Sequence, residues 1–215
     1  MSELEQIAAE VSACTRCALH QTRKKSVPGV GPAEAEIMLI GEGPGFNENE
    51  QGLPFVGQSG QFLSELLAQA GLKREDVWIG NVVKCRPPGN RDPLPEELSA
   101  CDHYLERQIA AINPKIIITL GRFSMGKFLP GVKISQVHGQ MRLVDGRFVI
   151  AMFHPAAALH QPPLKPAILA DFARLPALLE EARKSLLQPT QPQNGPIAET
   201  GASEQENTPK QMKLF

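Results

Sequence analysis

Four short apolar runs punctuate the chain: Ile37 to Ile40, Val77 to Val83, Ile116 to Leu120 and Phe148 to Phe153. They are rich in β-branched residues and lack strict alternation, the pattern of strands buried on both faces of a parallel sheet. Helical spacing fills the intervals. Phe62, Leu63, Leu66, Leu67 and Ala70 share one face, and Leu98, Cys101, Leu105, Ile109 and Ile112 share another. The second set follows Pro95-Glu96-Glu97, residues suited to a helix N-terminus. A polar helical pattern opens the chain at MSELEQIAAEVSAC, and a last helix is predicted from about Pro166 to Lys184, bent or interrupted at Pro176. Strand and helix in alternation predict an α/β fold, a three-layer α/β/α domain over residues 1–185 around a four-stranded parallel sheet.

The pattern then changes. From Gln188 to Lys210 the chain is rich in Pro, Gln, Glu, Gly, Ser and Thr and nearly free of apolar residues. Such a stretch cannot bury enough surface to offset its ordering entropy, so residues 186–215 are predicted to be a disordered tail. Apolar residues return only in the final Gln211-Met212-Lys213-Leu214-Phe215.

Composition adds boundaries. Of 215 residues, 42% are hydrophobic and 21% charged, as in ordinary globular proteins. No apolar run nears the roughly 20 residues of a membrane span. The first residues lack the basic and apolar segments of a secretion signal, so a cytoplasmic location is expected. A formal net charge of −1 does not announce a nucleic-acid partner. Basic residues cluster locally instead, as Arg16, Arg23, Lys24 and Lys25, and as Lys84, Arg86 and Arg91 in one later loop.

Ligands of open α/β sheets bind beyond the carboxyl ends of the strands. Each unusual segment here occupies such a position. The first run leads into GEGPGFNENEQGLPFVG, the second through Asn81 into KCRPPGNRDP, the third into GRFS and the fourth into HPAAALH. Four loops therefore converge on one rim. Gly41, Gly43 and Gly45 with Pro44 predict a tight turn that lets backbone approach a ligand. The turn has neither the Gly-x-Gly-x-x-Gly spacing of a dinucleotide site nor the Gly-Lys-Ser/Thr of a P-loop.

Four cysteines complete the inventory: Cys14-x-x-Cys17, Cys85 in the loop after the second run, and Cys101 on the following helix. In a reducing compartment they are better metal ligands than disulfides. Spacing leaves zinc and an iron–sulfur cluster both open.

Read together, Cys14-x-x-Cys17, GEGPG at 41–45, GLPFVG at 52–57, Asn81 followed by KCRPPGNR at 84–91, Cys101, and HPAAA at 154–158 resemble the iron–sulfur-containing family 4 uracil-DNA glycosylases. The resemblance spans residues 10 to about 180. It implies a uracil-DNA glycosylase-like fold and an enzyme of base excision repair, a monofunctional hydrolase that cuts the N-glycosidic bond of uracil in DNA and leaves an abasic site. It implies a [4Fe-4S] cluster on Cys14, Cys17, Cys85 and Cys101, structural in role. It implies a substrate pocket built from Gly41, Glu42, Gly43, Phe55, Asn81 and His154. A related branch that crosslinks itself to DNA carries a His-bearing insertion between the positions of Asn81 and Cys101. None is present here, so hydrolytic turnover is expected.

The chemistry of these side chains agrees with the implied roles. A glycosylase extrudes its base and reads it in a pocket. Uracil presents an N3–H donor beside an O4 acceptor, and the Asn81 carboxamide matches both. Cytosine presents the reverse and would leave buried groups unpaired, at roughly 1–3 kcal/mol each. Phe55 offers a face for stacking, worth about 1–3 kcal/mol. His154 is the expected donor to uracil O2 as charge develops there. Glu42 and Glu48 are the candidate carboxylates for the sugar cation and the attacking water. Glu48 is favoured, for water or for exclusion of the thymine methyl. Ala156 to His160 resembles the loop that wedges into DNA as the base leaves.

The last five residues resemble the bacterial sliding-clamp binding peptide, with Gln211, Leu214 and Phe215 as contacts and the tail as tether. A monomer acting on uracil-containing DNA, with no membrane partner, is the expectation. Two other classes share parts of the pattern: an iron–sulfur flavodoxin-like redox protein, and a non-catalytic DNA-binding protein with a zinc site.

Overall fold

The computed structural model describes residues 1–187; the tail and its terminal peptide lie outside the described residues. Five strands form one sheet: β1 (Ile37–Gly41), β2 (Trp78–Asn81), β3 (Ile116–Leu120), β4 (Gln140–Val144) and β5 (Arg147–Met152). Their order is β2-β1-β3-β5-β4. The first four in that order run parallel, and β4 pairs antiparallel with β5. The expected four-stranded sheet is thus corrected to five. The extra strand, QMRLV, is largely exposed, and an edge strand wet on one side carries no continuous apolar run for the sequence to show.

Helices cover both faces: α1 (Glu3–Ala13), α2 (Phe46–Gln51), α3 (Gln58–Gln69), α4 (Pro95–Ile112), α5 (Arg122–Phe128), α6 (Ile134–Val137), α7 (Pro155–His160) and α8 (Lys165–Leu187). Successive residues of the central strands serve opposite cores, as the pleat requires. Leu39, Ile118 and Ile150 pack with Leu63, Leu66, Phe172 and Leu175 of α3 and α8. Met38, Ile40, Ile117 and Val149 pack with Leu105, Ile109 and Ile112 of α4. α8 continues through Pro176 as one helix. Among the described residues no helix is long and apolar enough to cross a membrane.

α1 is a satellite with its own small core. Its N-terminus is closed by a capping box between Ser2 and Glu5, two mutual hydrogen bonds that satisfy orphan amides. Its Ile7 and Val11 meet Leu19, Val83 and Tyr104, together with Cys85 and Cys101. Arg107 on α4 ties it down further by ion pairs to Glu3 and Glu10.

Candidate active site at the carboxyl rim of the sheet

The pairing of β1 and β2 continues past their ends, with Val82 N–H donating to Gly41 O at 3.0 Å and Val83 N–H to Glu42 O at 3.1 Å. This holds the first loop against the second. Gly41 is where they close: a Cβ there would lie 2.5 Å from Asn81 Oδ1 and 2.6 Å from Phe55 Cζ. The missing side chain leaves the space in which carboxamide and ring meet. Gly43 is similarly tight, since a Cβ would come within 2.8 Å of Val83 Cγ2.

Asn81 is 1% exposed, and its Oδ1 is buried with no hydrogen-bond partner. A buried acceptor left open costs about 1–3 kcal/mol unless something supplies a proton. Phe55 stacks beside His154, with ring centroids 5.5 Å apart and planes at 24°. It sits at φ 52, a left-handed conformation unusual for a bulky residue. Gly60 permits this, because a Cβ there would fall 1.9 Å from the Phe55 carbonyl oxygen. Gly60→Ala is therefore expected to displace the Phe55 segment, lowering both melting temperature and uracil excision; calorimetry with a cleavage assay checks it.

His154 caps α7, and its Nδ1 accepts from Ala156 N–H at 3.1 Å. That bond assigns the neutral tautomer, with the proton on Nε2. Loss of hydration pushes the imidazole down to about 4, against the opposing pull of Glu48. At neutral pH the ring is an uncharged Nε2–H donor.

The two carboxylates occupy different environments. Glu48 is buried and accepts from three backbone amides: Gly45 N–H at 3.1 Å, Val56 N–H at 2.8 Å and Gly57 N–H at 2.8 Å. It ties the GEGPG turn to the GLPFVG loop. Glu42 is half-buried, and burial, with Asp92 nearby, raises its pKa to about 7 although Arg122 opposes the shift.

The four cysteines line one cavity together with Arg23, Lys84 and Tyr104. Donors approach the sulfurs: Arg16 N–H to Cys14 at 3.5 Å, Arg23 Nη1 to Cys85 at 3.4 Å and Lys84 N–H to Cys101 at 3.3 Å. Burial pushes the Cys85 thiol up and the Cys101 thiol up to about 11.

Several of the clustered basic residues already have partners within the protein, and Lys84 is turned inward. Lys84 is 1% exposed, and its Nζ donates to Asn81 O at 2.8 Å and Gln108 Oε1 at 2.7 Å. Gln108 in turn donates to Pro28 O at 2.7 Å. Arg23 donates to Cys14 O at 2.8 Å and Ser12 O at 2.6 Å. Arg91 makes a two-pronged pair with Glu97 at 2.9 and 2.6 Å, and Lys24 pairs with Glu50. Sequence reading missed this role for Lys84, and a lysine directly after a strand gives no signal of burial. The Gly60 support had a signal, an isolated glycine in a helical pattern one turn beyond GLPFVG.

Residues 28–174 match the model of the uracil DNA glycosylase superfamily. A type-4 uracil-DNA glycosylase of Archaeoglobus fulgidus is 45% identical over 195 residues, covering 86% of this chain and 98% of that protein. A type-4 uracil-DNA glycosylase of Saccharolobus solfataricus is 46% identical, covering 81% and 86%. One from Thermotoga maritima is 47% identical, covering 73% and 84%.

Proposed function

This chain belongs to the uracil DNA glycosylase superfamily, in its type 4 branch, and we propose that the space shared by Gly41, Phe55, Asn81 and His154 is where it grips a flipped-out uracil. The enzyme removes uracil from DNA by hydrolysing the N-glycosidic bond, as a DNA-repair hydrolase. The observation that carries the pocket reading is the orphaned Asn81 Oδ1. Uracil N3–H supplies the missing proton, and the amide nitrogen of Asn81 donates to O4. Gly41 and Gly43 let backbone close on the base edge, while the Phe55 ring covers a face.

Bond cleavage leaves negative charge on uracil O2. The His154 Nε2–H faces that charge as a neutral donor, fixed in tautomer by Ala156 N–H. A donor held in place before charge develops needs no reorganisation, and removal of one such group typically costs about 10²–10³ in rate. The sugar becomes cationic and water attacks C1′. Glu48 contributes a fixed negative charge, but its oxygens are engaged by three amides. Glu42, with a pKa near 7, is the better match to a proton acceptor working at neutral pH. Log kcat/KM should therefore rise with pH and level off above an apparent pKa near 7. Below that pH Glu42 is protonated and cannot accept. His154 contributes no limb there, since it stays neutral down to about 4. Glu42→Gln should flatten the profile and lower its plateau about 10²-fold. A wild-type profile flat from pH 5 to 8 would remove Glu42 from the role.

The four thiols fit an iron–sulfur cluster. Buried thiolates need compensating positive charge, and the cavity supplies amide and guanidinium donors to three of the four sulfurs. Cys14, Cys17, Cys85 and Cys101 would hold the [4Fe-4S] group, which supplies a covalent tie between the N-terminal segment, the loop after β2 and α4. Cys101→Ala should lose iron and acid-labile sulfide together; retention of both would exclude Cys101 as a ligand.

The defining experiment is incubation with uracil-containing single- and double-stranded oligonucleotides followed by alkali. Cleavage at uracil alone supports the pocket, and intact strands would refute it. We further propose that Gln211, Leu214 and Phe215 dock on the sliding clamp; the supporting feature is the apolar end of a polar tail. Deleting the last five residues should abolish retention on immobilised clamp, and equal retention would end that idea.

A further inference from the structure

Phe46 is not absorbed by this pocket. It opens α2 one residue after Gly45, yet its ring is 57% exposed, the one aromatic among the large exposed apolar side chains of the described residues. Leu53, before Phe55, and Leu159, after His154, are exposed to 46% each. Leu53 lies in the loop that carries Phe55, and Phe46 and Leu159 lie on the short helices α2 and α7 that follow Gly45 and His154. The Phe46 ring has a cation beside it: Arg86 Cζ lies 5.4 Å from its centroid. Arg86 is itself held, with Nε donating to Asn90 Oδ1 at 2.7 Å. Asn90 is fixed in turn at φ 55, its N–H donating to Pro87 O at 3.1 Å. The two terminal guanidinium nitrogens have no partner among the described residues.

An exposed phenyl ring costs free energy in water and is retained here on a segment that also carries Glu48. A guanidinium anchored beside it leaves nitrogens available to a phosphate. An aromatic face with an adjoining cation is the combination that holds single-stranded nucleic acid, where each base offers a flat face and each linkage a negative charge.

We propose that Phe46 and Arg86 form a stacking platform for the nucleotide next to the extruded uracil, with the base on the Phe46 ring and its phosphate on Arg86. The inference rests on the pocket reading above and adds a preference to it. In a duplex the neighbouring base stays paired and stacked within its own helix. In a single strand it is free to turn onto the ring. Phe46 and Arg86 thus strengthen binding of single strands selectively.

The test measures dissociation constants for an uncleavable oligonucleotide carrying 2′-fluoro-2′-deoxyuridine, single-stranded and paired. Phe46→Ala should weaken single-strand binding about 10-fold and duplex binding less than 2-fold. Phe46→Trp should match the native protein. A 2-aminopurine placed beside the uracil analogue should be quenched on binding to native protein and not to Phe46→Ala. Arg86→Gln should weaken single-strand binding and lower its salt dependence. Unchanged single-strand affinity of Phe46→Ala, equal losses on both substrates, or unaltered quenching would each overturn the platform. Failure of the native protein to excise uracil would instead overturn the pocket itself, so the two can fail separately.

Discussion

Asn81→Ala should lower kcat/KM on a uracil-containing single strand by about 10³-fold while leaving the melting temperature within a few degrees of native. The activity loss follows from the base edge. In the proposed pocket the buried carboxamide makes two bonds to uracil, and its loss would leave uracil N3–H and O4 unpaired. At roughly 1–3 kcal/mol for each buried group the total is about 4 kcal/mol, a factor near 10³ in rate. Stability should change little, for a separate reason. In the free enzyme Asn81 Oδ1 has no partner, so its removal relieves a desolvation penalty that offsets the small cavity left behind. Most buried substitutions do the opposite, lowering stability first. Steady-state cleavage and differential scanning calorimetry on one preparation check both halves. A fully active Asn81→Ala would sink the pocket assignment, whatever its stability.

The same residue shows what the sequence disclosed. Asn81 was legible through the resemblance, since a carboxamide inside the apolar run Val77 to Val83 reads by itself as a strand-end turn residue. β1, β2, β3 and β5 were legible as apolar runs. β4 was not, because QMRLV carries polar residues at an edge and follows the exposed pattern of a loop. His154 was readable as a strand-end histidine, but its tautomer depends on one bond to Ala156 N–H, which no spacing encodes. Lys84 was misjudged as surface charge. Its burial depends on Gln108, 24 residues later on α4, and only the folded chain brings a partner of that separation to it. Of the two carboxylates, sequence reading favours Glu48, for the water or for exclusion of the thymine methyl. The geometry gives its oxygens to loop amides and leaves Glu42 with the raised pKa. Two glutamates six residues apart look alike until their hydrogen-bond partners are known.

Glu48 yields the second large effect, chiefly on stability. Glu48→Ala should lower the melting temperature by roughly 10 °C or more and abolish excision with it. The carboxylate accepts N–H groups from Gly45, Val56 and Gly57, and in alanine all three lose their acceptor. Each orphaned buried amide costs about 1–3 kcal/mol. For a domain of this size 1 kcal/mol shifts the midpoint by roughly 2–4 °C, so three amides at about 1 kcal/mol each already come to roughly 6–12 °C. Activity falls with it because those amides belong to the two loops that frame Gly41 and Phe55. Glu48→Gln separates scaffold from base. Its remaining carbonyl oxygen can serve the paired amides of Val56 and Gly57, while its NH₂ group points at Gly45 N–H, donor against donor. A scaffold role predicts an intermediate fall in melting temperature, with kcat depressed in proportion to the displaced turn. A proton-accepting role predicts kcat lost out of proportion to that fall. The second outcome would return the water to Glu48 and leave Glu42 as a bystander.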